Sequence, residues 1–161
     1  MKGMVVAPHS LAVEEGVRVL RQGGNAVDAA VSAAFVQCVV GIGSCGIAGF
    51  GSLHVYMSDS GEHKVIDFHG KAGSKVKPDM WEDIVISEER TGYGYRLKGR
   101  VNDIGYQSIT TPSTLMGLYE GLTRFGTVDL KKALAAAIHY AEKGFPFDGE
   151  KSRSWGFRSA P

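Results

Sequence analysis

Hydrophobic and polar positions follow different rhythms in successive stretches of the chain. Positions 4–7 form a short apolar run closed by Pro8, which predicts a buried strand. A helical period follows over 11–22, with Val13, Val17 and Leu20 on one face and Gly23-Gly24 as the stop. Asn25 is placed to cap a second helix, and Asp28 suits its electropositive first turn. That helix, Ala26–Val40, is apolar all round and rich in Ala and Val, so it is expected to be buried on every side. Residues 41–51 form a glycine-rich loop.

Alternation with period two appears next, over 51–58 and again over 63–69, around the turn Asp59-Ser60-Gly61-Glu62. A turn centred on Ser60-Gly61 sets Leu53 opposite Phe68, Val55 opposite Ile66 and Met57 opposite Lys64 on an apolar face. The other face then pairs Ser52 with His69, His54 with Asp67, Tyr56 with Val65 and Ser58 with His63. Residues 70–109 lose this regularity and predict a surface excursion with a strand or short helix near Trp81. After Pro112 a helical stripe returns with Leu115, Leu118, Leu122 and Phe125, ended by Gly126. Thr127 is expected to cap the last helix, whose stripe is Leu130, Leu134, Ala137, Ile138 and Ala141. Gly144 and Pro146 end it, and the tail 151–161 has no pattern.

Composition narrows the class. The 161 residues suffice for one compact domain, and the formal net charge of +1 argues against nucleic-acid or anionic-membrane binding by bulk charge. Only 7 of the 35 charged side chains fall in the first sixty residues, so that part should be mostly interior. Glycine, at 22 residues, is about twice its usual share and points to tight turns and close backbone approaches. The start of the chain carries no signal-peptide pattern. Ala26–Val40, roughly 22 Å as a helix, is too short for a bilayer. Cys38 and Cys45 lack the spacing of a metal knuckle or redox pair and read as reduced thiols, so a cytoplasmic setting is expected.

Several motifs invite chemistry. Gly41-Ile-Gly-Ser-Cys-Gly46 matches G-x-G-x-x-G, but a helix precedes it and a strand follows, the reverse of a dinucleotide fold. A helix-to-strand connection needing several positive-φ residues explains it better. His54, Asp67 and His69 on one strand face are a candidate metal set, against the commoner reading of a His–carboxylate cross-strand contact. Cys45 is a candidate nucleophile with no base marked for it. His9 and His139 have no partner suggested by spacing, and Lys71, Lys75 and Lys77 are followed at once by Asp79, Glu82 and Asp83, a solvated loop.

A resemblance emerges from Gly3-Met-Val-Val-Ala-Pro-His-Ser-Leu-Ala12 and Gly23-Gly-Asn-Ala-Val-Asp-Ala-Ala30. It continues through Ser44-Cys-Gly-Ile-Ala-Gly-Phe-Gly51, Asp67-Phe68, Pro112-Ser-Thr-Leu-Met-Gly-Leu-Tyr-Glu120, Phe125-Gly-Thr127, Ala136-Ala-Ile138 and Glu142-Lys-Gly-Phe-Pro146. These runs resemble the N-terminal part of the large subunit in the γ-glutamyltranspeptidase (glutathione hydrolase) family. The resemblance implies an α+β chain: helices and a β-hairpin forming part of an N-terminal-nucleophile hydrolase fold, an αββα sandwich. Residues 1–161 are then a single N-terminal fragment of the large subunit, with 70–109 as its variable surface excursion. Members cut themselves into two subunits, and the new N-terminal threonine of the small one attacks a γ-glutamyl amide.

No threonine here stands in that processing context, so the chain alone is expected to be inactive. Its implied partners are the remaining large- and small-subunit segments and a glutathione-like substrate, with no cofactor, nucleic acid or membrane. The family usually carries an arginine after Asp-Phe that clamps the substrate's α-carboxylate. Here that position is His69, with Lys71 two residues on and, if the strand continues, on the same face. His69 and Lys71 are therefore the expected substrate-binding residues. The substitution opens two alternatives, an acylase of different acyl specificity and a non-catalytic structural or binding fragment.

Overall fold

The structure, a computed structural model, describes residues 3–41, 43–90, 92 and 94–146. Four helices carry the core: α1 (Ser10–Arg21), α2 (Ala26–Val40), α3 (Thr114–Phe125) and α4 (Leu130–Lys143). Two antiparallel hairpins complete the α+β arrangement, β1 (Ser52–Met57) with β2 (Glu62–Asp67), and β3 (Val85–Glu88) with β4 (Tyr95–Leu97). The tail 151–161 lies outside the described residues.

Helix α2 is the centre. Val31, Phe35, Val36 and Val40 are at most 1% exposed, and burial of each such side chain contributes about 2 kcal/mol. The expectation of burial on every side is corrected at Ala26 and Ala30, which are exposed. They line a groove of about 640 Å³ between α2 and the segment 3–8 that precedes α1. That segment is not the predicted strand at 4–7: no strand pairs with it among the described residues, and Met4 and Val6 stand 87% and 84% exposed.

Helix α1 turns a different face inward from the one its large apolar residues suggest. Ala12, Glu15, Gly16 and Val19 are buried, whereas Val13, Val17 and Leu20 are only half-buried. Small residues win this face because they let the two helix backbones approach closely. Glu15 is met in that setting by a two-pronged pairing with Arg18, which donates from Nε to Oε2 at 2.7 Å and from Nη2 to Oε1 at 2.6 Å. His9 plays a structural part. Its Nδ1 accepts the Leu11 amide at the start of α1, and its own amide donates to Gln37 Oε1 on α2.

The Asn25–Asp28 pair forms a full capping box on α2, as its spacing promised. Asp28, 0% exposed, then reaches across to the α3–α4 connection. It accepts the Thr127 amide at 2.7 Å, the Thr127 hydroxyl at 2.6 Å and the Val128 amide at 3.1 Å. Asn25 Nδ2 donates to the Phe125 carbonyl at 2.7 Å. Thr127 is therefore not the cap of α4; Asp129 is, accepting the Lys132 amide at 2.8 Å. The α4 stripe is corrected too: Ala133 and Ala137 are buried, while Ile138 and Ala141 are exposed.

The β1–β2 hairpin keeps its predicted faces but not its predicted partners. Leu53 pairs with Ile66, Val55 with Lys64 and Met57 with Glu62. The connection takes four residues, 58–61, so the ladder slides by two. Its apolar face rests on α3, where Gly117 and Gly121 leave the notches that Phe68 and Leu53 fill. A Cβ at either glycine would overlap the incoming side chain. On α3, Gly117, Leu118, Gly121, Leu122 and Phe125 are buried, whereas Leu115 is exposed. The stretch 70–109 carries a 3-10 turn at Glu82–Ile84, directly after Trp81, and the small β3–β4 hairpin.

Candidate substrate-binding site

The residues singled out by sequence lie where β2 ends. Asp67 is the last residue of the strand, and its Oδ1 accepts the His69 amide at 3.0 Å. One more rung follows, Phe68 with Gly51 at 3.0 and 3.4 Å, before the chain leaves the ladder at His69. The strand therefore does not continue to Lys71, as one expectation required. Lys71 is held instead by a single bridge to Thr111, whose amide donates to the Lys71 carbonyl at 2.9 Å.

Asp67 Oδ1 also meets His69 Nδ1 at 2.7 Å, which places the imidazole proton on Nδ1 and leaves Nε2 for a ligand. The Phe50 ring lies against the imidazole, 5.4 Å between centroids and tilted by 34°. Contacts on these two sides set the ring's orientation, although the His69 side chain remains 60% exposed. The Asp67 carboxyl is held below its usual pKa, first by the His69 amide, then by the imidazole, with smaller contributions from the charges of His69 and Lys71. The constellation is thus an oriented imidazole on a carboxylate held toward its ionised form, with Lys71 two residues further along the chain. It can accept a hydrogen bond at Nε2, or with His69 protonated attract an anion jointly with Lys71.

His54 is not part of this group. The slid ladder puts it opposite Val65, with its ring 6.4 Å from that of His63. The set His54, Asp67 and His69 is thereby undone as a metal site, and no cluster of three metal-ligating side chains exists among the described residues. Cys45 is exposed, and its thiol donates to the Gln37 carbonyl at 3.2 Å, which gives it a backbone partner and no base.

The glycine-rich loop is a connection between α2 and β1, with one positive-φ glycine among its described residues, Gly43 at +87°, where several were expected. Its use is close approach. The Gly49 carbonyl accepts the Ser113 and Thr114 amides at 3.0 and 3.2 Å, supplying the N-terminal cap that no side chain of α3 provides. The same loop delivers Phe50 to His69. Sequence reasoning missed Phe50 because a lone aromatic among glycines has no periodicity, and its one signal was its place just before the strand paired with Asp67.

With this geometry in place, likeness to known proteins is informative. The profile described as Gamma-glutamyltranspeptidase matches residues 12–159. The chain is 40% identical over 144 residues to the Acylase ACY 1 proenzyme of Pseudomonas sp. (strain V22), covering 89% of this chain and 25% of that protein. It is 37% identical over 146 residues to the Glutathione hydrolase proenzyme of Bacillus subtilis (strain 168), covering 91% and 24%. The crystal structure of Helicobacter pylori gamma-glutamyltranspeptidase superimposes with a TM-score of 0.82 at 29% identity, over 97% of this chain and 42% of that one. The chain thus spans about a quarter of the length of the curated relatives it matches. The α+β arrangement is part of an N-terminal-nucleophile hydrolase fold. No helix among the described residues is long and apolar enough to cross a membrane.

Proposed function

From the premise that this chain belongs to the γ-glutamyltranspeptidase family, we propose that it builds one wall of an amide-cleaving site whose attacking threonine lies in polypeptide beyond these residues. The reaction in this reading is transfer or hydrolysis of a γ-glutamyl group from glutathione-like amides. His69 and Lys71 are the residues that meet the substrate's α-carboxylate. The observation that carries the reading is the Asp67–His69–Phe50 arrangement directly after the Asp-Phe pair of the resemblance. A guanidinium there would offer a two-pronged fork, whereas an imidazole offers one free nitrogen. Lys71 adds a primary amine two residues on.

The partners in this proposal are the remaining segments of a precursor. The segment 3–8 supports that, because Met4 and Val6 present exposed apolar side chains on backbone that no strand here pairs with. A cytoplasmic setting belongs to the same proposal and rests on the two thiols being free.

One observation favours a second reading, an acylase with another acyl preference. His69 replaces the clamp arginine, and one of the most similar relatives is named an acylase. Co-expression of this chain with the downstream half of a relative, assayed with γ-glutamyl-p-nitroanilide and with other acyl anilides, separates the readings. Turnover of the γ-glutamyl compound supports the first. Turnover of another acyl compound alone supports the second. A processed small subunit with no turnover of any of them supports a non-catalytic structural role.

A further inference from the structure

The two cysteines, seven positions apart in sequence, meet at the C-terminus of α2. Cys45 Sγ lies 3.2 Å from the Gln37 carbonyl oxygen and 3.7 Å from that of Gly41, so it sits over the last turn of the helix. The Gln37 oxygen belongs to the same planar trans peptide as the Cys38 Cα, which puts the Cys45 sulfur within roughly 6 Å of that atom. Cys45 is exposed and Cys38 is half-buried. This is one accessible sulfur beside the backbone that carries a second, half-buried one, and rotation about the Cα–Cβ bonds is what would bring the two into bonding range.

We infer that Cys38 and Cys45 form a thiol–disulfide site that reacts with a low-molecular-weight disulfide. The Cys45 thiolate attacks one sulfur of the reagent, breaking its S–S bond. The first thiol leaves and takes up the proton that Cys45 lost. The Cys38 thiolate then attacks the Cys45 sulfur and displaces the second thiol, which takes the Cys38 proton. Two protein thiols are oxidised to one disulfide, and one reagent disulfide is reduced to two thiols. Burial, reinforced by the neighbouring Cys45, pushes the Cys38 thiol up to about 11, so Cys38 is a poor first attacker and serves to close the ring.

The closed ring would pin the start of the 41–51 loop to α2. That loop also caps α3 through Gly49 and carries Phe50 to His69, so oxidation at one end restrains the aromatic wall at the other.

The reduced full chain treated with 2-hydroxyethyl disulfide tests this directly. The expected result is loss of both titratable thiols and of about 2 Da from the tryptic peptide 22–64, which holds both cysteines. Cys38→Ser should stop at the mixed disulfide on Cys45, and Cys45→Ser should stay unreacted under the same exposure. Ring closure in the native chain should outpace closure in guanidinium by roughly tenfold or more, because only the fold holds the sulfurs together. The wild-type measurements need no variant to fold. A lasting mixed disulfide on native wild-type protein, a covalent dimer, an unreacted pair, or closure equally fast in guanidinium would each overturn the assignment.

Discussion

Thr127 gives both its amide and its hydroxyl hydrogen to the carboxylate of Asp28, a residue ninety-nine positions earlier in the chain. With the Val128 and Asn25 amides, Asp28 accepts four hydrogen bonds and joins the start of α2 to the α3–α4 connection. Replacing Asp28 by Ala leaves buried donors without an acceptor, so a loss of about 3 kcal/mol in urea unfolding is expected. Thr127→Val removes one bond and should cost about 1 kcal/mol. A Thr127→Val loss equal to the Asp28→Ala loss would mean that the other three bonds contribute nothing.

Acid should act through the same carboxylate. Burial raises the Asp28 pKa, but the bonds from Thr127, Asn25 and Val128 outweigh it, and the net shift is downward. A group whose folded pKa lies below its unfolded value stabilises the fold above the unfolded pKa, about 3.9 for Asp. That contribution disappears as pH falls through the folded pKa. Stability of the wild type should therefore drop steeply below about pH 4, and Asp28→Asn should show a shallower acid limb. Parallel acid limbs in the two proteins would contradict this.

The notches on α3 predict a steric penalty. Gly117→Ala puts a methyl into the space of the Phe68 ring, and Gly121→Ala into that of Leu53. Each should cost about 2 kcal/mol, even though alanine is the better helix former. Thermal unfolding of both variants checks the sign, and an increase in Tm for either would show that the hairpin does not rest there.

At the proposed substrate site, His69→Arg should lower KM for a γ-glutamyl amide roughly tenfold in the co-expressed assembly, since a fork replaces a single nitrogen. Phe50→Ala in the same assembly should loosen the imidazole and raise KM. An unchanged KM for His69→Arg would indicate that position 69 does not meet the substrate.

Exposed apolar surface predicts association. Met4, Val6 and Tyr106 are each more than four-fifths exposed. The 161-residue chain on its own should form oligomers or bind an apolar dye strongly. A monodisperse species of monomer mass with weak dye binding would count against a missing partner.

What the sequence disclosed and what it withheld follow from distance along the chain. The Asn25–Asp28 box was legible because its partners are three residues apart, and the link to Thr127 was not, because only the tertiary fold brings that residue near. The inward face of α1 was misjudged because hydrophobicity favours Val13 and Val17, while close helix packing selects Ala12 and Gly16. His69 is expected at the site from its place after Asp-Phe, and its two contacts differ in kind. Asp67 is local and readable; Phe50 arrives from a loop with no periodic signal.

The offset of the β1–β2 ladder has an evolutionary corollary. Sliding by an even number of rungs moves no methyl from oil to water, so selection on solubility barely detects it. Turn segments here can grow or shrink by pairs at little thermodynamic penalty. A single inserted residue inverts inside and outside along the ribbon unless a bulge or an odd-length turn absorbs it.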